Sequence, residues 1–375
     1  MDFDLTDEQT AVTELAARLL GDLSTPDALR AIERSDPDRF DRSLWLAMAD
    51  AGILGLVAPE AVGGAGLGLV ELCMVLREVG RRTAAVPAFA TLALGVLPVA
   101  RHGTPAQIER ILGPVLAGDT IVTTAVSQSS GDPRQPSILA RRQGSSWVID
   151  GSCSNVWAGT IASVVLVPAR TDEGPAVFIV DAARAGIGIE RQATTSGTPQ
   201  ALLTFAGVTV DDTDVLGSVE HGASILGDLV DRATVASCAV MSGVAAEAVR
   251  LTGAYTTERH QFGRPIAGFQ AVTQRAGDAY VDAQAIELTM LQAAWRLDVG
   301  LPADREVAVA KFYAAEAGQD VVLAAQHLHG GTGVDRDYPL HRYFLLAKQL
   351  ELFLGGASRQ LLRLGALLAE EEPGR

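Results

Sequence analysis

Two short stretches of the chain carry side chains of the kinds that grip a phosphorylated ligand. The first, Arg259-His260-Gln261-Phe262-Gly263-Arg264-Pro265-Ile266, is followed at once by Phe269-Gln270. Arg259 supplies a planar guanidinium, whose fork of N–H donors matches phosphate oxygens. Phe262 offers an apolar plate, while Gln261 and Gln270 offer paired donors and acceptors. The second stretch, His329-Gly330-Gly331-Thr332-Gly333, lets backbone approach a ligand with no side chain in the way. His327 adds a ring that can donate a hydrogen bond. A plainer reading stands beside each: a solvated helix-end cation for Arg259, a cap or water-facing amide for Gln270, and a surface histidine for His327. The paired glycines Gly330 and Gly331 also suit a helix terminus, which coexists with ligand contact.

Composition narrows the partners. The 375 residues are 48% hydrophobic, enough for one large domain or three closely packed ones. A formal net charge of −15 repels phosphate backbones and anionic lipid, so neither nucleic acid nor a membrane surface is an expected partner. Cys73, Cys153 and Cys238 are far apart and form no CxxC pair; they suit buried thiols in a reducing cytoplasm, and no metal site is expected. The opening MDFDLTDEQTAV lacks the basic start and apolar core of a signal peptide. Apolar runs such as LALGVLPVA are too short to span a bilayer, so a soluble cytoplasmic protein is expected.

The elements that must position these residues come in three textures. Residues 5–34 read as a helix, with Thr6 as N-cap, Gln9 three positions on, and Val12, Leu15, Leu19 and Leu20 on one face. Further helices are expected at about 42–51, 69–82, 87–102 and 105–117, and PEAVGGAGLG (59–68) reads as a glycine-rich loop. From about 120 to 217, short β-branched runs alternate with turn signals, as in an antiparallel β domain. The helical period then returns, with one long helix over 222–258 and a short tail at EEEPGR. The expected domains are 1–118, helical; 119–218, β; and 219–375, helical.

Taken together, three segments make the chain resemble the acyl-CoA dehydrogenase family over roughly residues 3–370. Arg259 to Gln270 is similar to that family's R-x-x-F-G-x-x-I…Q stretch. Gly330-Gly331-Thr332-Gly333 with Tyr338-Pro339 is similar to its G-G-x-G…Y-P segment, and Pro59-Glu60…Gly63-Gly64 to its P-E-x-x-G-G loop. The resemblance implies an α+β fold of an N-terminal helical domain, a middle antiparallel β domain and a C-terminal four-helix bundle. It also implies FAD as cofactor, with Arg259, Gln261, Phe262, Gln270, Gly330 and Gly331 reaching a neighbouring subunit's flavin. His327 stands where the family usually has Gln.

The pattern fails where the family keeps its base. Its reaction removes a proton α to a thioester, which needs a positioned carboxylate. Counting from Gly331 through Tyr338-Pro339 puts the usual Glu position on Leu354, and counting back from Phe262 puts the alternative one on Ala233. Asp231 lies two residues away, about 200° round a helix. Glu351, three residues before Leu354, would share its face if that segment were helical. The family's T-E-P…G-S-D flavin stretch corresponds to Ser127-Gln128-Ser129-Ser130-Gly131-Asp132, and its W-I-T-N stretch to Asn155-Val156-Trp157-Ala158. The Trp position holds Asn155, and an indole, Trp157, stands where a small hydroxyl would meet the flavin, so poor flavin binding by this chain's own β domain is expected.

The resemblance is closest to the base-lacking subunit of α2β2 acyl-CoA dehydrogenases of lipid metabolism, notably those acting on steroid side chains. It implies a base-bearing partner, FAD shared with that partner, an acyl-CoA substrate and an electron-transfer flavoprotein as acceptor. The alternatives are a self-sufficient homotetramer using Asp231 or Glu351, an acyl-CoA-binding scaffold without chemistry, and a flavin-dependent hydroxylase.

Overall fold

The computed structural model describes residues 3–126 and 131–371. The chain opens with helices α1 (Asp7–Leu23), α2 (Pro26–Ser35), α3 (Arg42–Asp50), α4 (Leu69–Arg82), α5 (Leu97–His102) and α6 (Pro105–Leu116). The expected capping box closes α1: Gln9 N donates to Thr6 Oγ1 at 3.2 Å, and Thr6 N donates to Gln9 Oε1 at 3.0 Å. The single helix expected over 5–34 is instead two. Pro26 has no N–H for a preceding turn and disfavours helical backbone at Thr25, so α1 stops at Leu23 and Pro26 opens α2. A second proline reshapes the helix expected over 87–102. Pro98 gives the Leu94 carbonyl no N–H, the Thr124 hydroxyl donates to that carbonyl instead, and Phe89–Val96 winds wide, with Leu97 N–H reaching Leu92 O.

Among the described residues seven strands follow in one sheet: β1 (Val122–Thr124), β2 (Leu139–Gln143), β3 (Ser146–Trp157), β4 (Val164–Thr171), β5 (Gly174–Asp181), β6 (Ile187–Gln192) and β7 (Gln200–Asp211). Leu203, Phe205, Val208 and Val210 of β7 point into a core with Trp147, Ile149, Val167 and Phe178. The alternation slips by one at Ala206-Gly207, where β7 bulges against β3 and Gly207 takes a left-handed φ of 64°. The antiparallel expectation holds for β2–β3, β3–β7, β4–β5 and β6–β7, but β1 and β2 each run parallel to β4. Long connections precede both parallel pairings, so no hairpin forces the direction.

The rest is helical apart from one small hairpin: α7 (Gly222–Glu258), β8 (His260–Gln261), β9 (Arg264–Pro265), α8 (Gln270–Asp298), α9 (Asp304–His329), α10 (Gly331–Val334), α11 (Leu340–Leu352) and α12 (Ala357–Glu371). The helix expected over 222–258 is α7 in full. By length and composition the helical stretch Val219–Glu258 could cross a membrane, but 89% of its most apolar window is buried inside the protein, so its apolarity serves the core. The three cysteines are buried thiols, none in a disulfide.

Two compact units emerge. The first gathers Met1–Pro26, Leu69–Ala84 and Thr234–Arg375; the second is Asp27–Gly68 with Ala85–Ala233. In the first unit α4 and α7 cross with backbones almost touching. A Cβ on Gly80 would lie 2.1 Å from Val240 O, and one on Gly243 1.9 Å from Arg77 O. Gly243→Ala is therefore expected to cost about 1–3 kcal/mol through overpacking. A lowered urea midpoint with an unchanged m-value would register it.

Candidate functional site

The site grows from the end of α7. Past Glu258 the chain turns through β8 and β9, pairing His260 with Pro265 and Gln261 with Arg264. Phe262 and Gly263 form the two-residue tip, with φ of 54° and 79°. A tight hairpin of this kind needs left-handed backbone at both tip positions, free for glycine but strained for phenylalanine. That strained residue holds its ring 92% exposed to solvent. The base of the tip is braced: the Arg264 guanidinium lies 4.2 Å over the Phe269 ring, and the Phe262 ring meets Phe269 edge-on at 6.2 Å. Ile266 N donates to Arg259 O at 2.8 Å, and Thr273 Oγ1 donates to Ala267 O at 2.9 Å. Gln270 then opens α8. Arg259, Gln261, Phe262 and Gln270 thus share one rigid frame, and all four side chains are exposed.

The second stretch ends α9. Gly330, with φ 58° and ψ −138°, takes a backbone conformation essentially reserved for glycine, and its N–H donates to His327 O at 3.2 Å. A Cβ on Gly330 or Gly331 would meet nothing within 4 Å, so the fold leaves this backbone open to a ligand. His327 is exposed on the last turn of α9. The two stretches meet through Tyr255, which the sequence motifs did not include. Tyr255, one turn before Arg259, stacks on His329 at 4.4 Å, and its hydroxyl lies 3.4 Å from Thr332 Oγ1. One ring on a helix carries no signal distinguishable from core packing.

The carboxylate positions hold none. Leu354 is buried, 9% exposed, in a turn beyond α11 with a left-handed φ of 55°. Helix α11 stops at Leu352, so the helical face on which Glu351 would accompany Leu354 does not exist. Glu351 instead accepts an ion pair from Lys348 Nζ at 2.5 Å. Ala233 is fully buried on α7, while the neighbouring Asp231 carboxylate is paired with Arg134 Nη2 at 2.5 Å. The turn bearing Leu354 is pinned from behind: Gln360 Nε2 lies 3.4 Å from Leu354 O, and Lys311 Nζ donates to Leu350 O at 2.5 Å. Lys311 is 1% exposed, and burial pushes its ammonium down from 10.5 to about 8. Neither Lys311 nor its role was read from the sequence; the cue is a lone lysine within the apolar run AVAKFYAA.

In the second unit, Ser127 to Ser130 of the expected flavin stretch lie outside the described residues. Asp132 accepts from Arg134 N at 3.0 Å. Trp157 is 8% exposed, its indole edge-on to Phe89 at 5.0 Å, and its carbonyl accepts from Thr123 Oγ1 at 2.6 Å. Asn155 and Ala158, either side of it, take left-handed backbone at φ 57° and 55°. The first unit thus presents a guanidinium, an aromatic plate, amides and open glycine backbone outward, and neither Leu354 nor Ala233 can take a proton.

Comparison with known proteins shows the family of the chain. Residues 6–119 match the acyl-CoA dehydrogenase N-terminal domain, and residues 221–368 match the acyl-CoA dehydrogenase C-terminal domain. Acyl-CoA dehydrogenase FadE27 of Mycobacterium tuberculosis is 39% identical over 99% of both chains. A chain of the solved ChsE4-ChsE5 complex from Mycobacterium tuberculosis is 39% identical, with a TM-score of 0.92 over 99% of both chains. A chain of the Tcur3481-Tcur3483 steroid ACAD, solved as a single-residue variant, is 41% identical, with a TM-score of 0.91 over 97% of this chain and 98% of that one.

Proposed function

Since the chain belongs to the acyl-CoA dehydrogenase family, a family of oxidoreductases, we propose that it is the base-lacking subunit of a heteromeric, FAD-dependent acyl-CoA dehydrogenase. The observation that carries this reading is the contrast between its two ends of chemistry. Leu354 and Ala233 are buried hydrocarbon at the counted base positions, whereas the hairpin and the Gly330–Gly331 backbone face outward. In this reading Arg259 binds the pyrophosphate of a flavin seated mainly in the partner. Phe262 covers an apolar part of it, Gln261 and Gln270 meet its ribose or adenine, and His327, Gly330 and Gly331 supply the far edge.

The fit is that of a half-site: the side chains are exposed, and among the described residues no atom lies within 4 Å of a Cβ added at either glycine. A bound flavin would accept the β-hydrogen of an acyl-CoA as hydride. The α-proton then goes to a carboxylate of the partner, because a leucine has no lone pair to take it. The substrate proposed is the CoA thioester of a steroid side chain, in keeping with the steroid ACAD to which the chain is similar. An α2β2 assembly, a cytoplasmic location, an electron-transfer flavoprotein as acceptor, and working segments of 1–118, 119–218 and 219–375 complete the proposal.

The self-sufficient homotetramer is the second reading. Against it stand the ion pairs that occupy both unconventional candidates, Asp231 with Arg134 and Glu351 with Lys348. Absorbance separates the two. The lone chain is expected to be colourless, and co-expression with a base-bearing acyl-CoA dehydrogenase subunit to yield a yellow complex with bands near roughly 370 and 450 nm. Full flavin in the lone protein would sink the heteromeric reading and turn attention to Glu351→Gln and Asp231→Asn.

A further inference from the structure

Between the two halves of the proposed half-site lies a buried imidazole in which every polar atom has an assigned job. His329 is 3% exposed at the end of α9. Its Nδ1 lies 2.8 Å from Ala325 O, and since a carbonyl only accepts, Nδ1 carries the proton. Nε2 is then the acceptor, 3.1 Å from the Tyr338 hydroxyl, which donates. One face of the ring stacks on Tyr255, and Tyr338 meets both rings, 5.1 Å from His329 and edge-on to Tyr255 at 6.3 Å.

These contacts join three pieces of backbone. Tyr255 belongs to the last turns of α7, four residues before Arg259. His329 immediately precedes Gly330 and Gly331. Tyr338 ends the segment that follows them, and Thr332 adds a contact to the Tyr255 hydroxyl. The glycines themselves have no side chains with which to fix their place.

We propose that His329 is a positioning residue: with Tyr255 and Tyr338 it latches the Gly330–Gly331 backbone to the end of α7, setting the distance between that backbone and Arg259. This rests on the half-site reading above. Few side chains fit the position, because it needs a donor, an acceptor at the opposite edge and a flat apolar face.

The latch has a direction in pH. Burial lowers the imidazole's basicity below its ordinary 6.5, with the Ala325 carbonyl pulling weakly the other way. The titratable groups that face the ring are Tyr255 of α7 and Tyr338 of the segment after Gly331, and Tyr338 in turn lies in the field of Arg250 and Glu258 of α7. Protonation would turn Nε2 into a donor facing a hydroxyl that is already donating. The unfolded chain binds the proton more readily, so the latch is complete above about pH 6.5 and loosens as pH falls below it.

The test uses His329→Phe, which keeps a ring for the stack and loses both hydrogen bonds, and Tyr338→Phe, which removes one donor and is the milder change. Hydrogen exchange of the segment 330–338 in the isolated chain, read by mass spectrometry, is expected to quicken at least tenfold in both variants. Protection within α8 should stay as in the wild type. In the complex with a base-bearing subunit, the FAD dissociation constant is expected to rise about tenfold. With the intrinsic pH dependence of exchange divided out, lowering the pH from 8 to 5.5 should bring the wild type's protection toward that of the variants and leave the protection of His329→Phe unmoved. Unchanged exchange at 330–338 overturns the latch, whatever the flavin does. Faster exchange with FAD affinity intact, while Arg259→Ala loses it, overturns the positioning role alone. FAD affinity intact in the latch variants and in Arg259→Ala alike overturns the half-site reading and the positioning role together.

Discussion

Arg259→Ala is expected to strip flavin from the heteromeric complex while leaving the fold of the chain untouched. Arg259 is exposed just beyond the end of α7, so its removal opens no cavity and breaks no core contact. What it would lose is a pair of charge-assisted hydrogen bonds to a pyrophosphate, each worth about 1.5–3 kcal/mol. Allowing for partial solvent screening, a rise of about 100-fold in the FAD dissociation constant is the expected result. A flavin-to-protein absorbance ratio after gel filtration would report it. Arg259→Lys should recover only part of the affinity, since an ammonium restores the charge but not the planar fork. The neighbouring Arg264 provides the control: its guanidinium already lies over Phe269, so its loss should loosen the hairpin more than it weakens flavin directly.

Lys311→Met is expected to change how stability depends on pH more than it changes stability itself. The native ammonium is fully buried and titrates near 8, against 10.5 in the unfolded chain. Between those values the unfolded chain binds the proton more strongly than the folded one, so this residue makes the protein more stable as pH rises from 8 to about 10.5. The shift is equivalent to about 3 kcal/mol. In Lys311→Met that rise should vanish, and the wild-type minus mutant difference in urea midpoint should drift upward with pH. Three other buried groups limit the comparison to below pH 10: Cys238 is pushed up to about 11, Cys153 to about 12, and Tyr343 also rises, all through burial. A flat difference between pH 7 and 10 would mean that Lys311 is not a buried titrating cation. The mutation also takes the ammonium donor from Leu350 O, so residue 354 would shift if that donor sets the turn.

What could be read in advance follows the range of the interactions involved. The capping box at Thr6 and Gln9 and the full span of α7 were legible because they are written in consecutive residues. The motif from Arg259 to Gln270 stood out because glycine, phenylalanine and arginine sit there at fixed short spacing, and it folds as one exposed hairpin leading into α8. The breaks at Pro26 and around Phe89–Val96 were missed although the prolines responsible were in plain view; apolar periodicity outweighed them in the reading. The failed helical link between Glu351 and Leu354 has a different origin. A left-handed leucine is uncommon enough that nothing in LELFLGGAS announces it before Gly355. Least legible were His329 and Lys311. Their roles depend on partners 74 and 39 residues away in the chain, from His329 back to Tyr255 and from Lys311 on to Leu350, and no local pattern encodes such pairings.

The close crossing of α4 and α7 bears on how the protein is made. Helix α4 belongs to a unit completed only by Thr234 onward, so its buried face leaves the ribosome some 150 residues before the backbone that Gly80 fits against. At about 5–20 residues per second that is roughly 8–30 s of synthesis. During that time α4 can meet only α1, made before it, and the face that Gly80 presents to α7 has no native surface to meet. The second unit, by contrast, ends at Ala233 and can close first. Nascent chains halted before Thr234 should therefore hold a protease-resistant β core together with an N-terminal stretch still open to cleavage, and the protein's exposure to aggregation should peak in that window rather than after release.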